Sequence, residues 1–157
     1  MKIADFIDVR TVLPQLKSTS KKQLLQDVSQ HLAGLVAIDQ RIIFETFFTR
    51  EKLGSTGLGQ GIAIPHGRIP GLKQVVGLFA KLATPIAYDS VDGAPVDLVF
   101  ALLSPEHAGA DHLTALAKVS RVLRQPSSLS RLRATNTAEG LYAVLTDPPP
   151  ATAASAA

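Results

Sequence analysis

The spacing of apolar residues in the first third of the chain predicts two amphipathic helices. Ser20 can cap the first helix, and Gly34 is expected to break it near Leu35. Asp39 can cap the second helix, which is expected to end near Gly54. The apolar positions are Leu24, Leu25, Val28, Leu32 and Leu35 in the first helix and Ile42, Ile43, Phe44, Phe47 and Phe48 in the second. Each helix should therefore pack one face against a core.

Three apolar runs without helical spacing predict β-strands at 62–64, 74–82 and 96–103. The two longer runs are rich in valine, leucine and phenylalanine, which is typical of central strands covered on both faces. Three further helices should follow: one capped by Asp111, one starting at Pro126 and a last one over 137–145. Helices and strands intermixed along one chain predict an α/β fold, with a mixed sheet sandwiched between helices.

Length and composition indicate one domain. The chain has 157 residues, of which 46% are hydrophobic, enough for a single core. We expect this domain to span 1–147 and the Pro/Ala-rich tail, 148–157, to be disordered. The chain contains no cysteine, which excludes disulfides and thiol nucleophiles and suits a cytoplasmic location. A signal peptide and an apolar run of the roughly 18 residues that span a membrane are both missing, so membrane insertion is not expected.

Charge and motifs exclude several function classes. The net charge is +3, and the basic residues are spread along the chain, so nucleic-acid binding is not expected. The one basic doublet, Lys21-Lys22, should be a solvated first helical turn. The chain lacks a Gly-x-Ser-x-Gly elbow and a P-loop, which argues against a hydrolase and a nucleotide cofactor. His107 and His112 would lie about 140° apart around a helix, so they do not predict a metal site.

The strongest candidate for chemistry is His66, which lies between Pro65 and Gly67 after the first short strand. Imidazole titrates near pH 6.5, so at neutral pH it has an uncharged nitrogen that can attack phosphorus and leave again. The 55–61 loop contains three glycines and could place backbone N–H groups on a phosphoryl group, together with helix N-termini and an arginine. On local chemistry alone, a histidine that only hydrogen-bonds a turn is an equal alternative.

The run 48–68, FTREKLGSTGLGQGIAIPHGR, closely resembles the phosphorylation-site motif of phosphotransferase-system IIA domains of the mannitol/fructose type. It is most similar to the nitrogen-type regulatory branch of that family. The resemblance covers Met1 to about Asp147 and implies the mannitol/fructose-type IIA fold, a single-domain sandwich with a central mixed β-sheet flanked by helices. It also implies that His66 accepts a phosphoryl group from a phosphohistidine of the HPr-type phosphocarrier protein. His112 would then be a neighbouring imidazole, and Arg50 would stabilise the phosphoryl oxygens.

Four residues are secondary site candidates: Arg68, Gln60, Ser55 and Thr56. Arg68 could reach a phosphoryl group or be an exposed arginine satisfied by solvent. Mannitol-type domains can have a glutamate where this chain has Gln60. The neutral amide resembles the nitrogen-type branch and weakens the case for a site tuned to sugar flux.

Three more charged or titratable residues are expected to have no role in the site. His107 should lie in a loop and His31 at the edge of the core. Glu51 should balance Arg50 on the surface, because exchange between histidines needs no acid or base.

The resemblance favours a phosphocarrier that regulates partner proteins according to its phosphorylation state, a carrier rather than a stand-alone turnover enzyme. One alternative is a sugar-specific IIA subunit that passes the group to a cysteine on a separate IIB chain. The other is a regulatory binding module that is not phosphorylated.

Overall fold

The computed structural model describes residues 1–147. Two short 3-10 helices, Ile3–Asp5 and Val9–Thr11, precede the regular elements. The strands are β1 (Val12–Leu16), β2 (Gly57–Gly59), β3 (Ile62–Ala63), β4 (His66–Ile69), β5 (Val76–Ile86) and β6 (Val96–Pro105). The helices are α1 (Lys21–Val36), α2 (Gln40–Lys52), α3 (Ala110–Leu123), α4 (Pro126–Ala134) and α5 (Ala138–Thr146). The predicted disordered tail, 148–157, lies outside the described residues.

The strands form one mixed sheet in the order β1-β5-β6-β3-β2, and β4 also pairs with β6. β5 and β6 are antiparallel, whereas β1 runs parallel to β5, and β3 and β4 both run parallel to β6. β3 and β4 follow each other along β6, with Ile62 opposite Leu98 and His66 opposite Leu102. The carbonyl of Pro65 continues the pairing by accepting from the Leu102 N–H at 2.9 Å. The predicted α/β fold with a mixed sheet between helices is therefore confirmed.

The two faces of the sheet are covered by different helices. Along β6, Leu98, Phe100 and Leu102 belong to the core beneath α3, α4 and α5. Val99, Ala101 and Leu103 alternate with them and belong to the core beneath α1 and α2. This alternation is the period of two expected of a strand with both faces buried, because successive side chains point to opposite sides. The site described below lies where helices of both layers meet the same end of β6.

Two predicted helix boundaries are wrong. Gly34 lies inside α1, which continues to Val36 and ends where Ala37 takes a left-handed conformation with φ 57°. One glycine costs only about 1 kcal/mol in a helix, less than the buried stripe of α1 contributes. Asp111 lies in the first turn of α3, whose N-cap is Gly109 with φ 61°. A left-handed turn at that position favours glycine. The caps at Ser20 and Asp39 are confirmed, because their side chains accept from the N–H groups of Gln23 and Arg41.

Three strands have no clear signal in the sequence. β1 contains Pro14, which is tolerated because β1 is an edge strand. β2 was expected to be part of a loop because it contains two glycines. β4 has only four residues, His66–Ile69, too few to show an alternating pattern. Their pairing partners, rather than their own residues, make them strands. Among the described residues, no helix combines the length and apolar character needed to cross a membrane.

Candidate functional site

A surface cavity of about 650 Å³ lies between α2, the start of β4 and the start of α3. One wall is formed by residues of α2 that lie on the same face because they are three or four positions apart, and the other is formed by β4 and α3. The α2 wall consists of Ile42, Glu45, Thr46, Thr49, Arg50 and, just beyond the helix, Leu53; the other wall consists of His66, Gly67, Arg68 and His112. The structure thus brings His66, His112 and Arg50 together with Arg68.

His66 is held in a defined orientation at the first position of β4. Its Nδ1 lies 2.7 Å from the carbonyl oxygen of Ile64. A carbonyl only accepts, so Nδ1 must bear the proton and the lone pair must lie on Nε2. Burial lowers the pKa of His66, and the nearby positive charge of Arg50 lowers it further, while the Ile64 carbonyl and Glu51 act in the opposite direction. His66 is therefore a neutral imidazole at pH 7, with its lone pair on Nε2.

His112 lies beside His66, with 5.7 Å between the ring centroids and 45° between the ring planes. It is 7% exposed, and its Nδ1 lies 2.6 Å from the hydroxyl of Ser104 on β6. Burial lowers the pKa of His112 to about 4, and the charges of His66 and Arg68 contribute. A neutral imidazole bears one N–H, so His112 can donate one hydrogen bond to a ligand near His66.

Ser104 also belongs to this arrangement, although no motif in the sequence points to it. Ser104 lies within the long apolar run of β6 and is completely buried. A hydroxyl near the end of a buried strand was the only available signal, since a buried polar group needs a partner. The partner, His112, is supplied by a helix that begins after β6.

Arg50 and Arg68 provide positive charge at the cavity. Arg50 lies in the last turn of α2, and its Nη1 donates to the carbonyl of Gly54 at 2.8 Å. A guanidinium has five N–H donors, so this bond leaves further donors for an anion. Arg68 is exposed, and its Nη2 lies 3.4 Å from the carbonyl of Gly109, the residue that caps α3. Two cations and a helix N-terminus favour a phosphoryl group at this position.

Gly67 allows β4 to lie close to α2. A Cβ at this position would lie 2.5 Å from Cγ2 of Thr46, well inside van der Waals contact. Glycine at position 67 therefore permits the close packing of two elements that both line the cavity.

The expectation that the glycine loop, 55–61, supplies hydrogen-bond donors to the cavity is not met at Ser55, Thr56 or Gln60. The hydroxyl of Ser55 donates to the carbonyl of Tyr88 at 3.0 Å, and Thr56 is buried against Glu51. The backbone N–H of Gln60 donates to Asp92 at 3.0 Å, and its carbonyl accepts from Arg133. Ser55, Thr56 and Gln60 all lie outside the set of residues that line the cavity.

The expectation that Glu51 lies on the surface is wrong, and Lys21 is not a solvated cation. Glu51 is 8% exposed, and one of its carboxylate oxygens lies 2.8 Å from Nζ of Lys21. It also accepts from the N–H of Thr56 at 3.0 Å. The burial of Tyr88 nearby, together with the negative charge of Glu51, raises the pKa of the tyrosine. A buried carboxylate needs such partners, and they come from α1, the glycine loop and the segment after β5.

The other two histidines lie outside the cavity. The side chain of His107 is 92% exposed, in the loop before α3. His31 is exposed on α1 and not at the core edge, so that expectation is wrong. Within residues 1–147, no three histidine, aspartate or glutamate side chains are close enough together to bind a metal ion.

Comparisons with known proteins give one family. Residues 5–147 match the model of the family described as "Phosphoenolpyruvate-dependent sugar phosphotransferase system, EIIA 2". A nitrogen regulatory protein from Bradyrhizobium diazoefficiens is 51% identical over 154 residues, covering 98% of this chain and 100% of the relative. The crystal structure of nitrogen regulatory protein IIA-Ntr from Neisseria meningitidis has a TM-score of 0.88 and 40% identity, covering 92% of this chain and 99% of the other.

A more distant structure shares the fold alone. It is the Escherichia coli complex of enzyme IIAMTL with phosphorylated enzyme IIBMTL, matched with a TM-score of 0.75 and 17% identity. The match covers 88% of this chain and 96% of the other.

Proposed function

Since the chain belongs to the EIIA 2 family of the phosphoenolpyruvate-dependent sugar phosphotransferase system, we propose that it is a phosphocarrier whose His66 accepts a phosphoryl group from an HPr-type carrier protein. Family membership supports the phosphocarrier role and confirms the resemblance indicated by the 48–68 motif. The observation that carries the proposal is the hydrogen bond from Nδ1 of His66 to Ile64, which leaves the lone pair on Nε2. The cavity around this ring also contains Arg50, Arg68 and His112.

In the proposed transfer, Nε2 of His66 attacks the phosphorus of a phosphohistidine on the donor protein. A new N–P bond forms on His66, and the bond to the donor nitrogen breaks with its electron pair remaining on the donor ring. His66 needs to lose no proton, because its Nδ1–H stays bonded to Ile64. The positive charge that develops on the His66 ring is stabilised by that carbonyl. Glu51 therefore needs no acid or base role.

The phosphoryl oxygens would be stabilised by the donors around the cavity. Phosphoryl transfer depends on positioning and charge stabilisation, because negative charge is spread over three equatorial oxygens. Arg50 and Arg68 offer guanidinium donors, and His112 offers one N–H from a neutral ring. Ser104 can rotate its hydroxyl to donate to Nδ1 of His112, which places the remaining proton of that ring on Nε2.

We propose that phosphorylation regulates partner binding. A phosphoryl group adds a charge of about −1.5 to −2 at neutral pH. Here it would enter a cavity whose walls also contain the apolar side chains of Ile42 and Leu53, which are 48% and 82% exposed. A partner that buries those side chains would contact His66 and would distinguish the two states by charge. The names of the 51% and 40% identical proteins, which are nitrogen regulatory proteins, favour this reading.

A second candidate is a sugar-specific IIA subunit that donates to a separate IIB chain. The observation in its favour is that the mannitol-type neighbour, which shares the fold, was determined in complex with phosphorylated IIB. The chain has no cysteine, so a cysteine acceptor would have to be on another chain. Rapid transfer from phosphorylated protein to a fructose or mannitol IIB domain would favour this candidate over regulation.

Labelling with phosphoenolpyruvate tests the proposal directly. The protein is incubated with phosphoenolpyruvate, the general phosphotransferase enzyme and HPr, and an acid-labile phosphohistidine is sought by mass spectrometry. Wild type and His107→Ala should be labelled, because His107 is exposed and outside the cavity, while His66→Ala should not. An unlabelled wild type, or a labelled His66→Ala protein, contradicts the proposal. An unlabelled wild type would favour the third alternative, a binding module that is not phosphorylated.

A further inference from the structure

We propose that Glu51 is a positioning residue for His66 and acts on the imidazole through Thr56 and Ile64. Its kinetic consequence rests on the proposed phosphocarrier function, but its effect on the ring does not. Glu51 is absent from the residues that line the cavity, so it does not act by touching the phosphoryl group. The charge of Glu51 also acts on the pKa of His66 from a distance, but an effect on the orientation of the ring must pass through the residues that Glu51 contacts.

The first link joins the end of α2 to the start of the glycine loop. The carboxylate of Glu51 accepts from the backbone N–H of Thr56, at 3.0 and 3.3 Å to its two oxygens, and from the Thr56 hydroxyl. Lys21 lies 2.8 Å away and balances the charge. The hydroxyl of Tyr88 approaches the same carboxylate at 3.4 Å. Residue 56 is thus fixed by an ionised, buried acceptor, whose hydrogen bonds are stronger than those of a neutral group.

The second and third links lead from residue 56 to the ring of His66. The carbonyl of Thr56 accepts from the backbone N–H of Ile64 at 3.0 Å. The carbonyl of Ile64 then accepts from Nδ1 of His66 at 2.7 Å. Three consecutive contacts therefore connect the Glu51 carboxylate with the atom that determines which nitrogen of His66 keeps its lone pair.

The conformation of the backbone between Thr56 and Ile64 is only weakly determined by the residues of that segment. β2 has three residues and β3 has two, and their register is irregular between Gly57 and Gly59. Gly59, Gln60 and Gly61 all have positive φ values, and glycine loses more conformational freedom on folding than any other residue. Short, glycine-rich strands are prone to register slippage. A buried carboxylate that fixes residue 56 supplies the constraint that strand pairing alone does not.

Arg50, the neighbour of Glu51, makes this arrangement relevant to transfer. Arg50 lines the cavity, while Glu51 is directed into the protein toward Thr56. The last turn of α2 therefore positions the guanidinium directly and the imidazole through the glycine loop. A shift of that turn would therefore change the position of the Arg50 guanidinium relative to the His66 imidazole.

The test measures the tautomer of His66 and the rate of transfer in variants of the links. Imidazole ¹⁵N chemical shifts at pH 7.5, without any phosphoryl donor, report which nitrogen is protonated. Glu51→Gln keeps the shape of the side chain but removes its charge, and it should raise the fraction of His66 protonated on Nε2. Its single-turnover transfer from saturating phosphorylated HPr should slow by up to about a hundredfold, the effect expected of a misplacement of about 1 Å.

Two further substitutions separate positioning from general stability. Thr56→Val removes the hydroxyl but keeps the backbone N–H, so it should shift the tautomer in the same direction by less, whereas Thr56→Ser should restore wild-type behaviour. Asp89→Asn is the matched control. Asp89 also lies near Lys21, with 3.9 Å between its carboxylate and Nζ, and the substitution removes one negative charge without touching Thr56, Ile64 or His66. It should leave the tautomer and the rate unchanged.

The outcomes decide the proposal even when one variant is unstable. If Glu51→Gln and Thr56→Val fold and keep the wild-type tautomer, the proposal is wrong, whatever their rates. If Glu51→Gln does not fold, the comparison of Thr56→Val with Thr56→Ser decides in the same way. An unlabelled wild type would refute the phosphocarrier function instead, while the chemical shifts would still test the role of Glu51.

Discussion

The centroids of the His66 and His112 imidazole rings lie 5.7 Å apart, although His66 begins β4 and His112 lies in the first turn of α3. β6 determines this proximity. It pairs with His66 through Leu102, and it carries Ser104, whose hydroxyl contacts His112. Residues of one strand, two positions apart, therefore position both rings.

Removing the donor on His112 should slow phosphoryl transfer. His112→Ala should reduce the transfer rate by about 100-fold, the lower end of what loss of one transition-state hydrogen bond costs. His112→Gln, which retains an N–H donor, should lose less. Rapid-quench kinetics with phosphorylated HPr measure both, with His107→Ala as the control. Equal rates for His112→Ala and wild type would show that the second ring does not contact the phosphoryl group.

The two arginines should contribute unequally. Arg50 is half-buried and is fixed at 2.8 Å to Gly54, whereas Arg68 is exposed and its contact with Gly109 is long, at 3.4 Å. A preorganised donor stabilises a transition state more than one that must first be ordered. Arg50→Gln should therefore slow transfer by about tenfold more than Arg68→Gln, within the range for a lost donor. The same kinetics test this, and a larger loss for Arg68→Gln would contradict it.

Stability should depend on pH through His66 and His112, whose pKa values are both lowered in the folded protein. The pKa of His112 is lowered to about 4, and that of His66 is lowered as well, so the unfolded chain binds more protons than the folded one below about pH 6.5. The free energy of unfolding should be fully retained above pH 6.5 and should fall between pH 6.5 and pH 4. Urea denaturation across this window measures it.

The control for this pH dependence is His112→Gln, which cannot be protonated at this position. Its free energy of unfolding should change less between pH 6.5 and pH 4 than that of wild type. His31→Gln should follow the wild-type curve, because His31 is exposed. An unchanged slope in His112→Gln would mean that other groups cause the pH dependence.

Gly67 should tolerate alanine only when Thr46 is made smaller. Gly67→Ala places a Cβ 2.5 Å from Cγ2 of Thr46, so α2 or β4 must shift, and overpacking of this kind costs about 1–3 kcal/mol. Thr46→Ser removes the methyl group but keeps the hydroxyl that donates to Ile42 at 2.8 Å. The double variant should recover most of the lost stability in thermal unfolding. Additive losses would show that the two positions do not interact.

Several features of this protein were determined by the sequence itself. Most of the apolar faces of α1 and α2, the two long strands and the caps at Ser20 and Asp39 follow from periodicity and cap chemistry, which act within a few residues. Two members of the predicted apolar faces, Leu35 and Ile42, are exposed instead. The run 48–68 likewise identified the family, because it is one contiguous stretch of chain.

Tertiary structure alone decided which polar residues are buried and what they contact. Glu51 was expected on the surface and is instead buried against Lys21 and Thr56. Ser104 contacts His112 because α3 packs beside β6 in the folded protein. β4 is a strand because β6 pairs with it. The physical reason is common to all three. Helix caps and apolar stripes depend on neighbours along the chain, whereas the partner of a buried charge, a hydroxyl or a short strand comes from a distant segment.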